Sequence, residues 1–132
     1  MVLDCPPTLS RLTEQVLSIA DAIYVPVVPT WLSLNSWSQL QSFVKEKKSG
    51  RKKLRPFFSM VDRRKSLHRE ILARGPELLA NRLELAVPYA SAVERMGEAG
   101  LPLELLAPRT PAADVYRQMW KTIRQDLWGK QH

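Results

Sequence analysis

A chain of 132 residues suits one domain with a modest core, and its 45% hydrophobic and 25% charged residues are ordinary for a globular protein. No apolar run reaches the ~18 residues that suggest a membrane-spanning helix. Met1-Val2-Leu3-Asp4 lacks the basic-then-apolar pattern of a signal peptide, so a cytoplasmic location is expected, and the lone Cys5 excludes an internal disulfide or a structural zinc site built on thiols. The net charge of +7 favours a polyanionic partner, nucleic acid or an anionic membrane surface, without choosing between them.

Met1 to Asp4 reads as the tail of a strand, ended by Asp4 and two prolines; Cys5 reads as a small buried residue. Thr8 to Ala20 spaces Leu9, Leu12, Val16 and Ile19 as one helix face. Ala22 to Val28 is rich in β-formers, but Pro26 cannot donate to a ladder, so the strand is expected to end near Val25. Ser33 to Lys48 repeats the helical pattern with Leu34, Trp37, Leu40 and Val44. A strand from Leu54 to Val61 ends at Asp62, and a helix from Ser66 to Ala73 is broken by Gly75-Pro76. Leu83 to Val87 is a short strand closed by Pro88. Ser91 and Glu94 form a capping-box pattern, and Thr110-Pro111 opens the last helix. There Tyr116, Trp120, Ile123 and Leu127 make a stripe read as core packing, and no membrane association is expected. Alternation of strand and helix predicts the α/β class, a mostly parallel sheet with helices on both faces.

In such sheets ligands bind beyond the carboxyl ends of the strands. The segments leaving the predicted strands are Asp4-Cys5-Pro6-Pro7, Pro26 to Thr30, Asp62-Arg63-Arg64 and Pro88-Tyr89, all expected on one edge. An aspartate ending an apolar strand is where P-loop NTPases hold magnesium or its waters; Asp4 equally suits a cap for the helix near Thr8. A basic run, Lys45, Lys47, Lys48, Arg51, Lys52, Lys53 and Arg55, contains one acid, Glu46, and is followed by Arg63, Arg64, Lys65 and Arg69. It reads either as a solvated surface or as a patch for DNA phosphates. His68 is expected on the surface, and Trp31 and Trp37 as packing residues. The sequence assembles no Ser/His/Asp or Cys/His constellation.

Read together, the segments resemble the C-terminal portion of ParA/MinD-type partition ATPases, members of the P-loop NTPase superfamily. Leu3-Asp4-Cys5-Pro6-Pro7 resembles the D-x-P-P signature, and Ala20-Asp21-Ala22 through Val25-Pro26-Val27 the A-D-x-hydrophobic-hydrophobic-P strand. Trp31-Leu32-Ser33-Leu34 with Gln39-Leu40, Ser59 to Arg64, and Leu85 to Tyr89 are similar to the following loop and helix, the M-x-D-x-R turn and a later strand ending in proline. The resemblance implies ATP and Mg2+, with Asp4 as the Walker B aspartate acting through water and Pro6 and Pro7 opening the second switch. It implies Asp62, Arg63, Pro88 and Tyr89 around the adenine. It also implies a nucleotide-dependent dimer that binds DNA without sequence preference, here through Lys52, Lys53, Arg55, Arg63, Arg64, Lys65 and Arg69, with a ParB-like adaptor.

One departure stands out. None of Gly50, Gly75, Gly97, Gly100 and Gly129 sits in the G-x-x-x-x-G-K-[ST] context that cradles phosphates. The chain alone is therefore not expected to hold ATP tightly or hydrolyse it. A fragment, a degenerate paralogue or half of a split protein each fits, and each leaves a sheet edge unpaired, so self-association or pairing with a missing N-terminal half is expected. The alternative reading is a non-catalytic interaction or regulatory domain that keeps the fold without nucleotide. A cobyrinic acid a,c-diamide synthase-type domain is a third reading, lacking the glutamine-hydrolysing portion.

Overall fold

The computed structural model describes residues 1–6, 8–47 and 54–129. Pro7, Lys52 and Lys53, all expected at binding sites, lie outside the described residues. Seven helices and three strands follow one another among them: α1 (Arg11–Ile19), β1 (Ile23–Val27), α2 (Trp31–Glu46), β2 (Leu54–Val61), α3 (Ser66–Ala73), α4 (Gly75–Leu78), β3 (Ala86–Pro88), α5 (Ser91–Ala99), α6 (Leu103–Leu106) and α7 (Pro111–Trp128). The strands form a parallel sheet in the order β1-β2-β3, with Ile23 opposite Leu54 and Phe58 opposite Ala86. This is the expected α/β, Rossmann-like arrangement.

Crossovers between parallel strands are right-handed, so two steps in the same direction across a sheet leave both connecting helices on one face. Accordingly α2 and α3 share a core with α1 on that face. Leu17, Leu34, Trp37, Val44 and Ile71 pack there on Val27, Leu54 and Phe58. Strand alternation turns Phe57 to the other face, where it meets Leu83, Val87 and the α7 side chains Val115, Tyr116 and Met119. A satellite cluster joins α5, α6 and α7 through Ala92, Leu103, Ala112 and Ala113.

Side-chain caps open three of the seven helices. Thr30 accepts the Ser33 N–H at 3.2 Å to open α2, and Thr110 accepts the Ala113 N–H at 3.3 Å, with Pro111 in the first turn of α7. Ser10, not Asp4, caps α1. The Ser91–Glu94 capping box does not form: Ala90 is the cap of α5, and Glu94 instead accepts the Tyr89 hydroxyl at 3.0 Å.

Several other expectations are corrected. Residues 1–4 form no strand, and Met1, Val2 and Leu3 are exposed, because an extended segment without a neighbour has no ladder to join. β1 runs through Pro26 because it is an edge strand, where a missing N–H is tolerated. β3 is shorter than expected, although Leu83 N–H still donates to the Pro56 carbonyl at 2.8 Å. Cys5 is exposed. On α7, Tyr116 packs as expected, but Trp120 is 54% exposed and Leu127 is also exposed. Ala112, Ala113, Val115 and Met119 shift the buried stripe around the helix.

Candidate functional site at the carboxyl edge

Because the three strands are parallel, the loops after β1, β2 and β3 leave the same edge. The turn after β2 and the loop after β3 enclose an open cleft of about 540 Å3, lined by Val61, Asp62, Arg63, Arg64, Ala86, Pro88, Tyr89 and Ser91. Asp62, Arg63, Pro88 and Tyr89, four of the residues expected around a ligand, therefore converge. Asp4 and Pro6 are not among the cleft residues, and Asp4 ends no strand.

The turn that carries Asp62 is built by its own side chains. Met60 has a φ of 53°, and the β2–β3 register breaks between Phe58 and Val61. This bulge shifts the alternation by one residue, so Val61 returns to the face of Phe58 and packs with the main core. Asp62 then receives two hydrogen bonds from the Arg64 guanidinium, both at 2.9 Å, and one from the Arg64 backbone N–H at 3.1 Å. The Arg64 guanidinium, more than the backbone donor, holds the Asp62 carboxyl down at about 2. Arg69 donates to the carbonyls of Arg63 and Arg64 at 2.6 and 3.0 Å, closing the turn from α3.

His68 is buried, only 4% exposed, contrary to the surface position expected of it. Its Nδ1 accepts the Asp62 N–H at 3.0 Å, which fixes the proton of a neutral ring on the other nitrogen. Sequence reasoning missed this role; the one available signal was the α3 spacing that puts His68 and Ile71 on the same buried face. Across the cleft, the Tyr89 hydroxyl donates to Glu94, whose carboxylate raises the phenol's pKa. Tyr89 N–H donates to the Val61 carbonyl at 2.9 Å and ties the two walls together.

The cations proposed for DNA separate into two places. Arg55 is the second residue of β2 and Arg63 lies beyond its end, so at about 3.3 Å per residue the run from Arg55 to Val61 alone sets them roughly 20 Å apart along the strand. Arg55 is also occupied: it donates to Asn81 Oδ1 at 2.9 Å, and its Nε lies 3.1 Å from the Asp126 carboxylate. Arg64 and Arg69 hold the turn. Arg63 and Lys65 are exposed on it. Among the described residues no group of three or more His, Cys, Asp or Glu side chains is arranged to hold a metal ion, and no helix is long and apolar enough to cross a membrane.

Fold and cleft thus define an α/β domain with an open cleft at the carboxyl ends of parallel strands. No family model matches the chain. It is 24% identical over 131 residues to the sporulation initiation inhibitor protein Soj of Bacillus subtilis, a match spanning 93% of this chain and 51% of Soj. The chain spans about half the length of that curated relative, and the similarity points to the same family as the motifs.

Proposed function

We propose that this chain is the base-binding portion of a ParA-like partition ATPase, acting on DNA as a nucleotide-dependent dimer with a ParB-like adaptor once its phosphate-binding portion is present. The observation that carries this reading is the convergence of Asp62, Arg63, Pro88 and Tyr89 at one cleft. Ala86 and Pro88 supply apolar walls for a flat heterocycle, and Arg63 and the Tyr89 hydroxyl supply polar contacts at its rim. The residues suit the base end of ATP and do not suit its other end. No glycine-rich loop is present to cradle phosphates, and Asp4 lies outside the sheet that would aim it at magnesium. No hydrolytic step follows from these residues alone.

Titration with adenosine and with Mg-ATP, followed by backbone amide shifts, tests the reading. Equal, weak binding of both is expected, with shifts confined to residues 61–64 and 86–91. Silence at those residues removes the base site.

For DNA, the exposed Arg63 and Lys65 with Lys52 and Lys53 are the contributing cations. Replacing both Arg63 and Lys65 by alanine should lower the salt slope of binding by about 2, one for each phosphate no longer neutralised. An unchanged slope removes these two residues from the interface. The alternative, an interaction domain without nucleotide, is favoured by the absent phosphate loop and predicts no adenosine binding.

A further inference from the structure

Asp62 lies one residue past the end of β2, and its N–H leaves the ladder for His68 Nδ1 at 3.0 Å. α3 holds the same turn a second time through the next side chain, since Arg69 donates to the Arg63 and Arg64 carbonyls at 2.6 and 3.0 Å. The turn also closes on itself. Arg64 N–H donates to the Asp62 carboxylate at 3.1 Å, and Lys65 N–H to the Asp62 carbonyl at 3.1 Å. Among the described residues, Arg63 and Lys65 are the turn's cations without a hydrogen bond or ion pair, and of these two only Arg63 lines the cleft.

An imidazole is a costly way to hold one N–H. α3 turns His68 inward with Ile71, and His68 is the one buried polar side chain among the described residues. A buried polar ring loses its hydration unless a hydrogen bond replaces it, and an apolar side chain would fill the same space without that cost. The ring's acceptor serves the wall of the cleft, six residues back in the chain. Without it the Asp62 N–H would be left unpaired, and the turn would swing outward to find water.

We infer that His68 is the positioning residue of the cleft. Through the Asp62 N–H, with Arg69 as a second tie, it holds the 62–65 turn so that Arg63 stays at the rim beside a bound ligand; for the ligand's chemistry this rests on the proposed base site. Affinity then falls in proportion to the fraction of molecules whose turn is docked.

The full chain is compared with its His68→Leu and His68→Asn variants. Leucine keeps apolar packing and removes the acceptor, whereas asparagine places Oδ1 where Nδ1 stands, two bonds beyond Cβ. In His68→Leu the Arg64 and Lys65 amides, whose own partners lie within the turn, should exchange at least about tenfold faster. Adenosine should bind that variant at least about fivefold more weakly. His68→Asn should recover most of both losses, which a space-filling role would not produce. The 15N shifts of the parent's neutral ring should show a bare Nδ1 and a protonated Nε2. Parental exchange and binding in the leucine variant, asparagine no better than leucine, or a proton on Nδ1 would each overturn the inference. If His68→Leu does not fold, His68→Asn and the exposed change Arg69→Ala decide: parental exchange in the first with faster exchange in the second supports it, and any other pair overturns it. Adenosine binding is read separately. No binding by the parent removes the base site, while exchange and the nitrogen shifts still decide what holds the turn.

Discussion

Residues 54–129 and residues 1–27 differ in how far they satisfy themselves. In the first region β2 is paired on both sides, Ile71 and Leu79 are fully buried, and turns close through side chains such as Arg69 and Asn81. In the second, Leu12 and Ile19 of α1 face solvent and β1 has a strand on one side only among the described residues. Both regions have comparable hydrophobic patterning in sequence. The difference shows that periodicity specifies which side chains must be buried, while only the presence of a neighbour decides whether they are.

Truncations should separate the two regions most clearly. Ile71→Ala, at a site with no exposed surface, should cost about 2–5 kcal/mol in urea unfolding, while Leu12→Ala stays within about 0.5 kcal/mol. Equal losses would break the comparison.

Next in size is the clamp that ties α7 to the sheet. Tyr24 donates to Asp126 at 3.2 Å beside the Arg55 contact, so Asp126→Asn should cost about 1–3 kcal/mol. Burial, and secondarily Asp126, pushes the Tyr24 phenol up to about 12 from 10.0. The folded state therefore keeps this proton longer than the unfolded chain does. Its contribution is complete below pH 10 and is lost as pH rises through about 12. Asp126→Asn should shrink that alkaline loss in stability measured against pH.

Thr110→Ala, which removes the α7 cap, should cost about 1 kcal/mol by the same unfolding measurement. The smallest effect belongs to the exposed Asp62–Arg64 pair. The pair's contribution is present above the ordinary carboxylate value of 3.8 and fades as pH falls toward about 2. In an NMR titration, Arg64→Ala should return the Asp62 carboxyl toward its ordinary range.

What the sequence conveyed follows the same division. β2 and α3 were legible to the residue, because a basic run, Asp62 and Gly75-Pro76 punctuate them and their apolar residues find neighbours. The convergence of Asp62, Arg63, Pro88 and Tyr89 was legible from strand ends in a parallel sheet. Pro26 misled because tolerance of proline depends on edge position, which sequence does not state. The bulge at Met60 and the buried imidazole of His68 depend on register and on a single backbone N–H, neither of which leaves a periodic trace. The α1 stripe was recognised as apolar, but periodicity did not reveal that Leu17, not Leu12 or Ile19, is the side chain that meets the core.

The central proposition is that α1 and β1 are held more loosely than the core built on β2. Native-state amide exchange on the isolated chain tests it most directly. Amides of Phe58, Ile71 and Leu79 should exchange only through global unfolding, while those of α1 and β1 exchange at least about a hundredfold faster through local opening. Uniform protection across both regions would contradict the account.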